Sequence, residues 1–177
     1  FQLKPRFASR NLQRMSMNPN SPLTIYGMVG PMGSGKTTLA LKIAKEKDAL
    51  FGSLDGTIKS FNQPIRDLED YESHRVRALD LLYARALAAL TKGQSVVFDV
   101  GRWTWLKELA DKTGAKIEIY YFEIPAEERW RRVQKRNQEK PENVYHFTMS
   151  KEEFDSQNPH HTPPPPTPGL TVIKISE

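Results

Sequence analysis

"LTIYGMVGPMGSGKTTLA", residues 23–40, passes from an apolar, β-rich run through a glycine-rich turn into a segment with apolar residues at helical spacing. Within it, Gly30, Gly35, Lys36 and Thr37 satisfy the pattern G-x-x-x-x-G-K-[ST]. Glycines allow several backbone N–H groups to turn toward phosphate oxygens, and the positive end of the following helix adds to the attraction. The stretch therefore predicts a strand, a phosphate-binding loop and a helix, with a nucleoside triphosphate as the ligand.

Each part of this loop has an expected task. Lys36 is long enough to reach the outer phosphates, and the Thr37 hydroxyl is suited to ligate Mg²⁺. The predicted nucleotide-binding residues are Gly30, Met32, Gly33, Ser34, Gly35, Lys36, Thr37 and Thr38. The motif alone does not distinguish a kinase from a GTPase, a motor or a DNA-translocating ATPase.

Strand-like and helix-like segments alternate along the rest of the chain. Strands are predicted at residues 22–29, 49–56, 95–100, 116–124 and 170–175, and helices at 35–48, 71–93, 104–114 and 125–137. Ser150 and Glu153 have the spacing of a capping box, which predicts one more short helix. Apolar strands between helices indicate an α/β fold, a doubly wound three-layer sandwich with a five-stranded parallel sheet.

Composition is typical of one domain without disulfides. The chain has 177 residues, 38% of them hydrophobic, and no cysteine. No apolar run approaches the ~20 residues that span a bilayer, so we expect a cytoplasmic protein without a membrane partner. The net charge of +5 lies mostly in residues 1–22, which we interpret as a basic extension, either of cloning origin or disordered. Residues 23–177 are predicted to form one domain, with a lid around residues 126–150.

Two acidic residues follow predicted strands. Asp55 ends the second strand, and Asp99 follows the apolar run "SVVF". In a doubly wound sheet, ligands bind outside the carboxyl ends of the strands, so both carboxylates are expected near the phosphate loop. Asp55 is a candidate base for an attacking hydroxyl, although an acid before Gly56 is also a common turn residue. Asp99 is expected to hold Mg²⁺ or its waters together with Thr37, or alternatively to orient a substrate or an arginine.

A basic helix supplies further candidates. Arg129, Arg132 and Arg136 fall at i, i+3 and i+7, and therefore on one helical face. Guanidinium groups brought to a transferring phosphoryl group would stabilise its charge. A solvated charged face is the alternative interpretation.

From about residue 24 to its end, the sequence resembles small P-loop kinases related to the zeta toxins, chloramphenicol phosphotransferase and polynucleotide kinase. The resemblance rests on "GPMGSGKTTLA", "GSLDG", "FDVGRWTW" and "YYFEIPAEERWRRVQKRN", in that order. It implies an adenylate-kinase-like core with ATP as the donor, Asp55 as the acid that activates the acceptor hydroxyl, and Arg132 and Arg136 as lid residues. In two places the chain departs from the family pattern. Gly56 stands where an acid is usual, and Trp105 stands where an arginine is usual.

Residues near these departures are candidates for acceptor binding. Arg102 is positioned in the sequence to replace the missing guanidinium, and Trp103 is a candidate wall of an acceptor pocket, with core packing as the alternative. We therefore expect an ATP-dependent, Mg²⁺-requiring phosphotransferase with Asp55, Lys36, Arg132 and Arg136 as catalytic residues and a small-molecule hydroxyl as acceptor. The alternatives are a polynucleotide 5′-hydroxyl kinase, which the nearly neutral body disfavours, and an ATP-binding regulatory module without catalysis.

Overall fold

A computed structural model describes residues 22–101, 103–142, 146–157 and 162–176. In chain order the elements are β1 (Thr24–Val29), α1 (Lys36–Lys47), β2 (Leu50–Ser53), α2 (Leu54–Lys59), α3 (Leu68–Thr91), β3 (Val96–Gly101), α4 (Thr104–Thr113), β4 (Lys116–Phe122), α5 (Ala126–Glu139), α6 (Lys151–Ser156) and β5 (Leu170–Ile175).

The five strands form one parallel sheet in the order β2-β3-β1-β4-β5. This confirms the predicted α/β fold with a five-stranded parallel sheet. In the sheet register, Asp99 of β3 pairs with Met28 of β1 on one side and Ser53 of β2 on the other. The carboxyl ends of these three strands therefore meet at one edge of the sheet.

Alternate residues of the strands belong to two buried clusters, as expected when helices cover both faces. Ile25 and Phe98 pack with α3 and α4, whereas Met28 and Val97 pack with α1. The result is a three-layer arrangement with the sheet in the middle.

Two element boundaries differ from the sequence prediction by three residues, and the other boundaries of the predicted elements agree to within two residues. The second strand ends at Ser53 rather than beyond Asp55, because the Ser53 side chain accepts a hydrogen bond from Gly56 N at 3.1 Å and starts α2. Asp55 therefore lies in the first turn of a helix rather than at the end of a strand. Helix α3 starts three residues earlier than predicted, because Asp67 caps its first turn.

Two other expectations are met. Ser150 and Glu153 form the predicted capping box of α6, and the last strand spans the predicted residues 170–175. The basic extension lies almost entirely outside the described residues. No helix in the described part of the chain is both long and apolar enough to cross a membrane.

Candidate active site

A cavity of about 540 Å³ lies at the carboxyl ends of β1, β2 and β3. Its walls come from the glycine-rich loop, α2, the first turns of α3, α5 and the segment before α6. Six of the residues singled out in the sequence line it together: Lys36, Thr37, Asp55, Asp99, Arg132 and Arg136.

The glycine-rich loop has a backbone conformation that favours glycine. Gly33 and Gly35 have φ angles of 78° and 94°, in the left-handed region. A Cβ atom at Gly33 would lie 2.6 Å from the Arg129 carbonyl oxygen, closer than atoms approach. The loop therefore curls directly against α5, and α1 begins after it at Lys36.

Side chains brace this loop from inside. Lys36 Nζ and the buried Ser34 hydroxyl both donate to the Pro31 carbonyl oxygen, each at 2.8 Å. Ser34 does not line the cavity, so any contact with a nucleotide would have to come from its backbone. The remaining predicted nucleotide-binding residues all line the cavity.

Arg129 holds the loop to α5 and is almost fully buried, with 6% of its surface exposed. Its Nε donates to the Ile124 carbonyl oxygen at 3.0 Å, and Nη1 donates to the Met32 carbonyl oxygen at 3.2 Å. Burial lowers the pKa of the Arg129 guanidinium. The three arginines that share one helical face therefore differ in role, because Arg129 braces the backbone while the other two line the cavity.

Arg132 and Arg136 also reach back toward the glycine-rich loop. Arg132 Nη1 donates to the Gly33 carbonyl oxygen at 3.4 Å, and its Nε is held by Glu128 at 2.9 Å. Arg136 Nη2 lies 3.5 Å from the Met32 sulfur. Both guanidinium groups thus lie at the loop where phosphates would bind.

Thr37 and Asp99 form a pair beside Lys36. The Thr37 hydroxyl donates a short hydrogen bond to Asp99 Oδ2. Burial raises the pKa of Asp99, while Lys36 and the Thr37 hydroxyl act in the opposite direction. Burial lowers the pKa of Lys36, and Asp99 and Asp55 partly offset this effect.

Asp55 is held by two residues that sequence reasoning did not single out. The Tyr71 hydroxyl donates to Asp55 Oδ1 at 2.8 Å, and His146 Nε2 lies 3.3 Å from the same oxygen. The His146 nitrogen is not aligned for a well-formed hydrogen bond, so we treat this contact as electrostatic. Burial by itself would raise the pKa of Asp55, but His146, the Tyr71 hydroxyl and the Arg136 charge hold that pKa below its ordinary value.

His146 is brought to Asp55 by a tether on α5. Asn137 Nδ2 donates to the Met149 carbonyl oxygen at 2.8 Å, and Met149 N donates to Asn137 Oδ1 at 3.1 Å. The paired hydrogen bonds hold the backbone of Met149, three residues after His146, against α5. The His146 side chain is only 6% exposed and meets the Tyr71 ring edge-on, with centroids 5.5 Å apart.

Of the other residues predicted to bind the acceptor, the structure describes Trp103 alone. Trp103 is half-buried against the core and does not line the cavity, which favours the packing interpretation. Arg102 lies outside the described residues. Gly56 is exposed, and the Trp105 ring packs on Phe98 with centroids 5.1 Å apart. Both departures from the family pattern therefore lie away from the walls of the main cavity.

A central strand leading to a G-x-x-x-x-G-K-[ST] loop, together with a parallel sheet of order β2-β3-β1-β4-β5, defines the fold of the P-loop kinases. A family model described as an AAA domain matches residues 25–164, and the chain belongs to this family. No curated protein matches the chain in sequence.

Solved structures share the fold. A candidate kinase from Chloroflexus aurantiacus superposes with a TM-score of 0.70 at 18% identity, covering 86% of this chain and 85% of that chain. A sugar kinase from Janibacter has a TM-score of 0.58 at 23% identity, with coverage of 87% and 86%. Chaetomium thermophilum Kti12 in complex with ADP-AlF3 has a TM-score of 0.58 at 16% identity, with coverage of 85% and 88%. At these sequence identities, the structural similarity establishes the fold alone.

Proposed function

We propose that this chain is an ATP-dependent kinase that transfers the γ-phosphoryl group of ATP to a hydroxyl group of a small molecule. The observation that carries the proposal is the position of Asp55. It lies in one cavity with the glycine-rich loop, Lys36 and two arginines, and two neighbouring side chains hold its carboxylate. A site that only bound a nucleotide with Mg²⁺ would need Asp99, but it would have no need of a second oriented carboxylate beside the phosphate loop.

Asp55 is suited to accept the proton of the acceptor. Tyr71 and His146 both approach Oδ1, so we assign Oδ2 to the acceptor hydroxyl. As the acceptor oxygen bonds to the γ-phosphorus, the bond from that phosphorus to the β–γ bridging oxygen breaks, the hydroxyl proton passes to Oδ2, and ADP leaves. Because the transition state of phosphoryl transfer is loose, a carboxylate of low basicity is sufficient.

Three cationic side chains supply charge on the donor side of the cavity. Lys36 follows the loop glycines, while Arg132 and Arg136 approach the loop from α5. Charge that develops on the phosphoryl oxygens and on the leaving oxygen is stabilised most strongly in a site that excludes water. We assign these three residues to that role.

The site also fits Mg²⁺. Thr37 and Asp99 offer two oxygens in direct contact with each other, and Mg²⁺ commonly takes one or two protein oxygens together with phosphate oxygens and waters. Bound there, the ion would neutralise charge on the phosphates.

Measured turnover of ATP across an acceptor library tests the proposal. The library should contain sugars, nucleosides, amino alcohols and an oligonucleotide with a 5′-hydroxyl end. With the best acceptor, we expect Asp55→Asn to lower turnover by roughly 10²-fold or more while ATP still binds, because a positioned base contributes on that order. Asp111→Asn on α4, where the carboxylate is 64% exposed and pairs with Lys107, is the matched control and should change little.

Three outcomes separate the alternatives. Wild-type turnover by Asp55→Asn contradicts the base assignment. Preference for the oligonucleotide, with binding that weakens steeply as salt rises, identifies a polynucleotide kinase instead. Tight ATP binding without ADP release on any acceptor identifies a regulatory module.

A further inference from the structure

A second cavity of about 440 Å³ adjoins the main one, and Arg75 and Val100 line both. Helix α3 runs along the two cavities. Tyr71, Arg75 and Leu79 follow one another at intervals of four residues, so they lie on one face of α3 and about 6 Å apart along its axis. Tyr71 holds Asp55 and Leu79 lines the second cavity. A molecule with its hydroxyl at Asp55 and its body along α3 would have to pass Arg75 and Val100 to reach the second cavity.

Half of the residues that line the second cavity are apolar or aromatic, and the other half are polar or charged. Leu79, Val100, Tyr83 and Trp105 line it. The Tyr83 and Trp105 rings contact each other at an angle, with centroids 6.1 Å apart. The volume lies within the range of small-molecule sites, which are mostly apolar with a few polar groups. A rigid aromatic wall of this kind suits an apolar or ring-containing body rather than a chain of phosphates.

Charge around the second cavity is unfavourable to anions. Arg75 contributes a guanidinium, but Glu72 pairs with it at 2.8 Å. Asp80 and Glu108 contribute carboxylates, of which Glu108 is paired with Lys112 at 2.8 Å. Asp80 is exposed and has no ion pair within the part of the chain that the structure describes. An anionic group placed here would therefore face a carboxylate that is not neutralised.

We propose that the second cavity binds the distal part of the acceptor, and that the acceptor is an elongated alcohol whose apolar body is neutral or cationic and carries no phosphate group. This inference rests on the proposed kinase function. It assigns Leu79, Tyr83 and Trp105 to the acceptor body and Asp80 to discrimination against anions. The class excludes polynucleotide ends, because their backbone would bring phosphates to Asp80.

Four 4′-substituted biphenyl-4-methanols of similar size test the inference, because two rings in line are long enough to reach from Asp55 along the two turns between Tyr71 and Leu79. Their 4′ substituents are methyl, aminomethyl, carboxylate and phosphate, and each probe is titrated into protein saturated with a non-hydrolysable ATP analogue. The chain has three tryptophans, so two-dimensional ¹H–¹⁵N spectra show three indole signals, and Trp105→Phe identifies the signal of Trp105. We expect the neutral and cationic probes to shift the Trp105 signal with a Kd about tenfold lower than that of the anionic probes. The absence of any shift, or tightest binding by an anionic probe, overturns the proposal.

Three substitutions on α3 sharpen the result. Asp80 is exposed, so Asp80→Lys should fold normally and reverse the preference toward the anionic probes. An unchanged preference would contradict its assigned role. Leu79→Phe should weaken binding of the neutral probe, because the larger side chain fills the cavity. Leu81→Phe, on the same helix at a position 42% exposed, should leave that binding unchanged. Equal effects of the two substitutions would count against the cavity.

Failure of this inference can be told apart from failure of the kinase proposal. The ATP analogue alone should shift the backbone signals of Gly33 and Gly35 in the glycine-rich loop. Shifts in the loop signals without any probe effect at Trp105 reject the second cavity as an acceptor site and leave the kinase proposal standing. Absence of loop shifts rejects the kinase proposal, and the probes can then be titrated without nucleotide.

Discussion

Replacing Tyr71 by phenylalanine isolates the hydroxyl that holds the proposed base. The hydroxyl donates to Asp55 Oδ1 at 2.8 Å. It stays protonated at any working pH, because burial and the neighbouring Asp55 raise the pKa of Tyr71 well above its usual range. In Tyr71→Phe, Asp55 keeps its place in α2 but loses one of the two contacts that orient the carboxylate and favour its ionised form.

The size of the effect follows from the hydrogen bond that is lost. A hydrogen bond to a charged group contributes roughly 1.5–3 kcal/mol, and one pKa unit corresponds to about 1.4 kcal/mol. Loss of this bond should raise the pKa of Asp55, which is now held below its ordinary value. Because a carboxylate is the active form of a base, the acid limb of the turnover–pH profile should move to higher pH. Turnover at neutral pH should fall less than at acidic pH.

Two measurements check this expectation, namely the pH profile of turnover and an NMR titration of the Asp55 carboxyl carbon. Tyr120→Phe is the control, because it removes another tyrosine hydroxyl, one that reaches Glu118 at 3.4 Å outside the cavity. In an Asp55→Asn background, Tyr71→Phe should have little further effect on turnover. An unmoved acid limb, or single-variant losses that multiply in the double variant, would refute the reasoning.

Three further substitutions test the geometry around the glycine-rich loop. Gly33→Ala places a Cβ 2.6 Å from the Arg129 carbonyl oxygen, so calorimetry should show weaker ATP binding. Its midpoint of thermal unfolding should also fall further than that of the control Gly114→Ala. At Gly114 nothing lies within 4 Å, and the substitution adds only backbone strain of about 1 kcal/mol. Arg129→Met leaves two backbone carbonyls without their donor and should lower unfolding free energy by roughly 1–3 kcal/mol. Thr37→Val removes the hydrogen bond to Asp99 and should raise the Mg²⁺ concentration needed for turnover, whereas Thr37→Ser should not.

Local patterns in the sequence were sufficient for most of the fold. The strand–loop–helix unit, the capping box at Ser150 and the last strand depend on neighbours in sequence, so their residues reveal them. The boundary after the second strand was wrong, because Ser53 competes for the chain by capping a helix of only six residues. From sequence alone, a serine next to apolar residues does not show whether the strand continues or a helix begins.

The residues of the candidate site likewise divide into those that the sequence reveals and those that depend on contacts between distant parts of the chain. The loop, Asp55 and Asp99 follow strand ends, and the topology of a parallel sheet brings strand ends together. Tyr71 carries only a weak signal, its place in the first turns of a helix beside that edge. His146 carries none, because its contact with Asp55 joins distant parts of the chain and depends on the hydrogen bonds that hold Met149 to Asn137. Arg129 shares its helical spacing with Arg132, and only packing separates their roles.

The charges beside the loop explain why nucleotide and metal should act together on stability. Burial lowers the pKa of Lys36 and raises that of Asp99, so the ionised form of each is less favourable in the folded chain than in water. A phosphate beside Lys36 and a divalent cation beside Asp99 each bring the opposite charge to one of these groups. Each ligand also attracts the other, so ATP and Mg²⁺ added together should raise the midpoint of thermal unfolding by more than the two separate increments. Strictly additive increments would show that the two groups do not share one site, and Asp99→Asn should abolish the excess while leaving the increment from ATP alone.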